Sequence, residues 1–274
     1  MRPVLTVRGI GLRAEGPTLT TRLGSGQSLA VLGPAASGKS RLLRVLAGDE
    51  RPAVGKVELL EQSVWAGVEG ASRRTTPLAL AKRCAGPKGT GRATEALADC
   101  GLWDARSKAL SELSPGQLAA TELLPIVLAP PSLLVVDGAL DRLDPWTFEN
   151  VWKAIRRRLE QGGALLVATH RTDRLHLFSS VVVLRAQQVR FFGTLEALVR
   201  LAGPTEIVIE TQHDAEVRAL VEPFEATVRA TEQGLVVQVG EGQELAARLL
   251  LEGYGNARVV MVREATADEA LRRL

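Results

Sequence analysis

One segment constrains this chain more than any other. Ser28–Leu32 (SLAVL) is an unbroken apolar run. It leads straight into Gly33-Pro34-Ala35-Ala36-Ser37-Gly38-Lys39-Ser40, and that into RLLRVLAG at 41–48. A short apolar run bounded by glycine reads as a strand buried on both faces of a sheet. The stretch after it reads as a helix closed by Gly48. Strand, glycine-rich turn and helix with G-x-x-x-x-G-K-S spacing form a phosphate-binding loop. The glycines let backbone N–H groups turn inward around phosphates. Lys39 reaches the terminal oxygens, the Ser40 hydroxyl suits Mg²⁺, and the helix N-terminus adds its dipole.

The rest of the first two hundred residues repeats the alternation. Val4–Val7 and Gly55–Leu60 read as outer strands. Leu133–Val136, Ala164–Ala168 and Val181–Leu184 read as further buried strands. Residues 66–92 have weak periodicity and read as loop and short helix. Helices are expected at Thr94–Leu102, at Gln117–Leu124 with a stop or kink at Pro125, and at Pro145–Gln161. Strands alternating with helices mean an α/β fold with a parallel sheet covered on both faces. Asp137 ends the LLVV strand, where a carboxylate beside the phosphate loop can hold the Mg²⁺ shell, as the Ser40 hydroxyl can.

A break at Ala202-Gly203-Pro204 divides a first domain, 1–202, from a second, 203–274. The second reads βαββαβ: strands at Thr205–Glu210, Glu225–Ala230, Leu235–Val239 and Arg258–Val262, helices at Ala215–Val221 and Gly242–Leu251. A turn at Gln233-Gly234 joins its middle strands. A last helix opens at Thr266 with capping-box spacing to Glu269. That order is the order of a ferredoxin-like α+β module.

Composition excludes several classes. The chain is 46% hydrophobic and 24% charged, so it is neither disordered nor a disulfide scaffold. Two cysteines with no CxxC or Cys/His cluster argue against structural zinc and fit a reducing compartment. No secretory signal is expected, since Met1-Arg2-Pro3 leads straight into a strand-like run, and no membrane-spanning run, since Pro125, Pro130 and Pro131 break the longest apolar stretch. A net charge of +3 is too weak to argue for nucleic acid and compatible with an anionic membrane face.

Leu113-Ser114-Pro115-Gly116-Gln117 narrows the class. Together with the phosphate loop and Asp137, it makes the chain resemble the ATP-binding subunits of ATP-binding-cassette (ABC) transporters, whose signature reads LSGGQ. The resemblance covers residues 4 to about 200. It implies a P-loop cassette that binds ATP and Mg²⁺ and pairs head to tail with a second cassette. Ser114, Pro115, Gly116 and Gln117 would then face the γ-phosphate held on the partner. Asp141-Arg142-Leu143-Asp144-Pro145 falls at the family's D-loop, and His170 falls at its switch histidine. His176 and His213 have no such context and read as ordinary.

The departures are selective. The family has a water-polarising Glu after Asp137, and this chain has Gly138. Asp141 lies close in sequence, but general-base geometry is strict and it is not expected to substitute. No Q-loop glutamine follows at the expected place, since Gln62 comes too early and Ser72–Leu80 has none. No adenine-stacking aromatic lies near Leu12–Glu15, Arg41 stands where the family usually has Thr, and the helical subdomain reads as shortened. Phosphate grip, magnesium carboxylate, signature and switch histidine persist. The implied protein is a catalytically degenerate subunit, peripheral on the cytoplasmic face of the cell membrane. It would work with separately encoded permease subunits and a second, competent cassette. Its own hydrolysis is expected to be weak or absent. A competent homodimer and a regulatory cassette without a transport role stay open, as does import against export. The closing segment VVMVREATADEALRRL is similar to the accessory domain of drug-resistance and ABC-2-type exporter ATPases, which leans towards export.

Overall fold

The computed structural model describes residues 2–211, 214–224, 226–231, 234–239, 257–263 and 265–274. It divides into two compact units, Met1–Gly193 and Thr194–Leu274.

The first unit is built on a six-stranded sheet. Its strands are β3 (Ser28–Leu32), β5 (Ser63–Trp65), β6 (Leu133–Asp137), β7 (Ala164–Ala168), β8 (Ser180–Arg185) and β9 (Gln188–Gly193), in the order β5-β6-β7-β3-β8-β9. All pair in parallel except β9, which turns back along β8. A separate antiparallel sheet has the order β2-β1-β4, from β1 (Pro3–Gly11), β2 (Leu19–Gly24) and β4 (Val54–Leu59).

Alternation along β6 shows why the central strands are apolar throughout. Leu134 and Val136 enter one core with α2 (Pro77–Ala85), α3 (Thr90–Asp99), α5 (Leu124–Leu128) and α6 (Pro145–Glu160). Leu133 and Val135 enter the other, with α1 (Lys39–Leu46) and the antiparallel sheet. Both sheet faces are therefore covered, as a parallel sheet requires. Each fully buried Leu or Val contributes about 1.5–3 kcal/mol relative to an exposed one.

Several elements differ from the sequence reading. Residues 66–92 contain the full helix α2, opened by Pro77 at its first turn and by the Thr76 hydroxyl, which accepts from Ala79 N at 3.2 Å. The next helix starts four residues earlier than expected and stops at Asp99, before the left-handed Gly101. Pro125 acts as anticipated: α4 (Pro115–Glu122) ends at Leu123, and α5 restarts with the proline in its first turn. Strands β2, β5 and β9 were not anticipated. Each is short or half polar, as the QVRFFG edge of β9 shows.

The second unit opens with α7 (Leu195–Arg200), nine residues ahead of the expected boundary. That helix goes with this unit: Arg273 Nη1 donates to the carbonyl of Leu201 just after it, at 3.2 Å. An antiparallel sheet follows, from β10 (Thr205–Thr211), β11 (Thr227–Thr231), β12 (Gly234–Val239) and β13 (Ala257–Arg263), in the order β11-β12-β10-β13. Ile207, Ile209, Leu235 and Val237 pack on Val217 and Val221 of α8 (Asp214–Val221). Helix α9 (Ala267–Arg273) opens with the anticipated capping box between Thr266 and Glu269. The expected helix at Gly242–Leu251, His213 and Gln233 lie outside the described residues.

Candidate functional site

The parallel register collects the candidate residues at one edge of the sheet. Val31 of β3 pairs with Ala168 of β7, and Asp137 of β6 pairs with the same Ala168. The loop after β3, the carboxylate ending β6 and the Thr169-His170 pair ending β7 therefore leave the sheet side by side. This is the carboxyl edge where open α/β sheets take ligands.

Gly33 is dictated by space. A Cβ there would sit 2.3 Å from Leu184 O and 2.5 Å from Ser37 Oγ. Ala36 takes a left-handed φ of 58°. Gly38 caps α1 at φ 99° with no side-chain cap, so the first turn of the helix directs its N–H groups at the loop. Ser37 Oγ is buried without a hydrogen-bond partner. The β8–β9 turn braces the loop. Its central residues Ala186 and Gln187 are both left-handed, which costs about 1–3 kcal/mol each. Gln187 N donates to Ser37 O at 2.9 Å.

Lys39 Nζ donates to Gly33 O at 2.7 Å and to Pro34 O at 2.8 Å. Burial pulls its pKa below the ordinary lysine value. Asp137 and Asp141 pull it the other way, which places both carboxylates within electrostatic reach of the ammonium. Arg41 is anchored outward: Nη1 donates to Leu12 O at 2.8 Å and to Gln187 Oε1 at 3.1 Å, and Nε pairs with Glu50 at 2.6 Å.

Asp141 holds the histidine. Its side chain is only 5% exposed, while that of His170 is 75% exposed. The carboxylate lies 2.8 Å from His170 Nδ1, accepts from His170 N at 3.0 Å and accepts from Thr169 Oγ1 at 2.6 Å. This fixes the ring and leaves Nε2 directed away from Asp141. Sequence spacing placed Asp141 in the D-loop but gave no sign of this bond, which depends on β6 and β7 being neighbours.

Gly138 has φ 70°, with nothing within 4 Å of a Cβ built there. The position has room for a side chain, in a backbone conformation that favours glycine. Asp144, the other D-loop carboxylate, caps α6. It accepts from Trp146 N at 3.1 Å and Thr147 N at 3.0 Å. Hydrogen bonds from Thr147 and the backbone hold it below the usual carboxylate range.

The signature residues open α4. Ser114 caps α4 and accepts from Gln117 N at 3.2 Å, and Gln117 Oε1 accepts from Ser114 N at 3.1 Å. The Ser114 O–H is left to donate elsewhere. Gly116 approaches Arg142 O, and Arg142 pairs with Glu122, so this turn is packed on the D-loop. Ser114 and Gln117 bond to each other rather than to Lys39.

Residues 18–141 match the family described as ABC transporter. Over those residues the first unit is similar to ABC transporter ATP-binding domains. The cassette is 27% identical over 210 residues to the phosphonates import ATP-binding protein PhnC of Pseudomonas entomophila (strain L48), covering 65% of this chain and 80% of that protein. It is 29% identical over 167 residues to the cytochrome c biogenesis ATP-binding export protein CcmA of Gluconobacter oxydans (strain 621H), covering 61% and 78%. Its fold is that of the ATP-binding cassette MJ0796, whose dimeric structure holds ADP and Pi. That likeness has a TM-score of 0.61 at 16% identity, over 70% of this chain and 98% of that one. The fold is accordingly the P-loop ABC ATPase cassette. Among the described residues no helix is long and apolar enough to cross a membrane.

Proposed function

We propose that this chain is the ATP-binding subunit of a membrane transport complex. In this reading it binds ATP without an activating carboxylate of its own and pairs head to tail with a second, competent cassette. Gly138 carries the degenerate part: directly after Asp137 stands a residue that offers no acid or base. Removing a general base typically lowers a rate by about 10²–10⁴-fold.

Gly33–Ser40 would grip the phosphates and His170 would sense the γ-phosphate. Ser114, Gly116 and Gln117 would meet the nucleotide on the partner. Ser40 and Asp137 are hard oxygen donors of the kind Mg²⁺ takes, so they would hold the ion, which neutralises phosphate charge when bound. Separately encoded permease subunits would tie the chain to the inner face of the membrane. The relatives include both an import and an export protein. We read the second unit as a ferredoxin-like accessory domain of exporter type, which favours export.

A second reading, a competent homodimer, is favoured by one observation: Asp141 orients an exposed histidine at the sheet edge where Asp137 and Lys39 lie. Titrating the purified chain with a fluorescent ATP analogue and following phosphate release separates the two. The first reading expects Mg²⁺-dependent binding that Lys39→Ala weakens, with turnover at background. Sustained turnover abolished by Lys39→Ala overturns it in favour of the second.

A further inference from the structure

The second unit contains a cavity of about 400 Å³ that takes no part in the nucleotide site. A polar row on the sheet forms its floor. In the strand register Glu206 of β10 stands opposite Gln238 of β12 on one side and Arg263 of β13 on the other. Ile207 and Ile209 alternate to the opposite face, where α8 covers them. Helix α9 supplies Glu269, Arg272 and Arg273 to the wall.

Three guanidinium groups and two carboxylates leave this cavity one positive charge in excess. Each carboxylate accepts at least one hydrogen bond, and Glu269 is also ion-paired. Glu206 Oε1 accepts from Gln238 Nε2 at 3.0 Å. Glu269 pairs with Arg263 at 2.8 Å and also accepts from Thr266 N at 3.1 Å. Arg273 donates to Leu201 O. Arg272 has no hydrogen bond or ion pair among the described residues, although its neighbours on the wall are all tied. What remains unspent is one guanidinium fork and the carbonyl oxygen of Gln238, with Ala202, Pro204 and Ala265 as apolar surface between. The volume is within the usual range for small-molecule sites.

We propose that this cavity binds a small organic carboxylate. Its carboxylate would lie on Arg272 in the bidentate manner that a planar guanidinium favours, and its polar remainder would meet Gln238. The surplus of guanidinium groups over carboxylates, with Glu269 already paired to Arg263, favours an anion over a cation.

Isothermal titration of succinate into the full chain, at ionic strength held constant with NaCl, tests this. Saturable heat is expected. Arg272→Glu and the milder Arg272→Gln should each weaken binding by about ten- to a hundredfold, the loss of one charge-assisted bond. Arg218→Glu, on α8 across the sheet, should leave it unchanged. Absence of saturable heat overturns the proposal, as does wild-type affinity in both Arg272 variants. Equal binding of inorganic phosphate in place of succinate overturns the carboxylate assignment. Succinate binding that survives Lys39→Ala keeps this site separate from the nucleotide reading.

Discussion

Gly33 and Gly138 both adopt positive φ at the carboxyl edge of the same sheet, for different reasons. At Gly33 the surroundings forbid a side chain, with Leu184 O only 2.3 Å from a Cβ placed there. At Gly138 nothing lies within 4 Å, and only the backbone angle of 70° disfavours a side chain. The first glycine is a packing requirement of the phosphate loop. The second is an open position that has no carboxylate. In the function proposed above, the half of the site that would grip phosphate is closely packed, while the position after Asp137 has space and no carboxylate.

Gly33→Ala should have the largest effect. The added Cβ must displace Leu184 O or Ser37 Oγ, and overpacking plus the unfavourable φ should cost on the order of 3 kcal/mol. Denaturant unfolding should show that loss, with nucleotide binding abolished. An alanine variant of wild-type stability would mean the loop is not held as rigidly as the β8–β9 brace implies. Next in size is Lys39→Ala. Its ammonium is desolvated yet drawn towards Asp137 and Asp141. Losing its charge-assisted contacts should weaken ATP by about ten- to a hundredfold in a fluorescence titration. Unchanged affinity would remove Lys39 from the phosphate grip.

The sequence announced the rigid half better than the open one. SLAVL, LLVV and ALLVA are buried on both faces, so continuous apolar runs betrayed β3, β6 and β7, and the loop motif followed from them. The edge strands β2, β5 and β9 carry polar residues on solvent faces and gave no comparable signal. Helix α7 hid in the segment before the Gly203-Pro204 break, because its partner, Arg273, lies some seventy residues on. Asp141 was visible as a carboxylate in the D-loop but not as the anchor of His170. That bond joins residues 29 apart and exists only because β6 and β7 pair.

Asp141→Asn tests that anchor. The substitution keeps the shape but leaves a neutral amide facing His170 Nδ1, His170 N and Thr169 Oγ1. Weakening hydrogen bonds to a buried charged acceptor should cost about 1–2 kcal/mol in denaturant unfolding. It should also free the His170 ring between tautomers, read from its ¹⁵N imidazole shifts. A ring that keeps one tautomer in the Asn variant would show that something else positions it.

The smallest effect belongs to Gly138. Alanine there meets no neighbour, so the expected cost is the left-handed backbone alone, about 1–2 kcal/mol at most. ATP affinity should not change, because Lys39, Ser40 and the α1 N-terminus are untouched. Gly138→Glu carries the same backbone cost and adds the carboxylate the position lacks. The carboxylate would emerge from a left-handed residue, directed by a backbone shaped for glycine, and general-base geometry tolerates little misplacement. Phosphate release by the purified Glu variant should therefore rise only slightly above background. A large gain, lost again on adding Lys39→Ala, would show that the open half of the site is complete in every respect but one side chain. The contrast between the two glycines would then reduce to that single substitution.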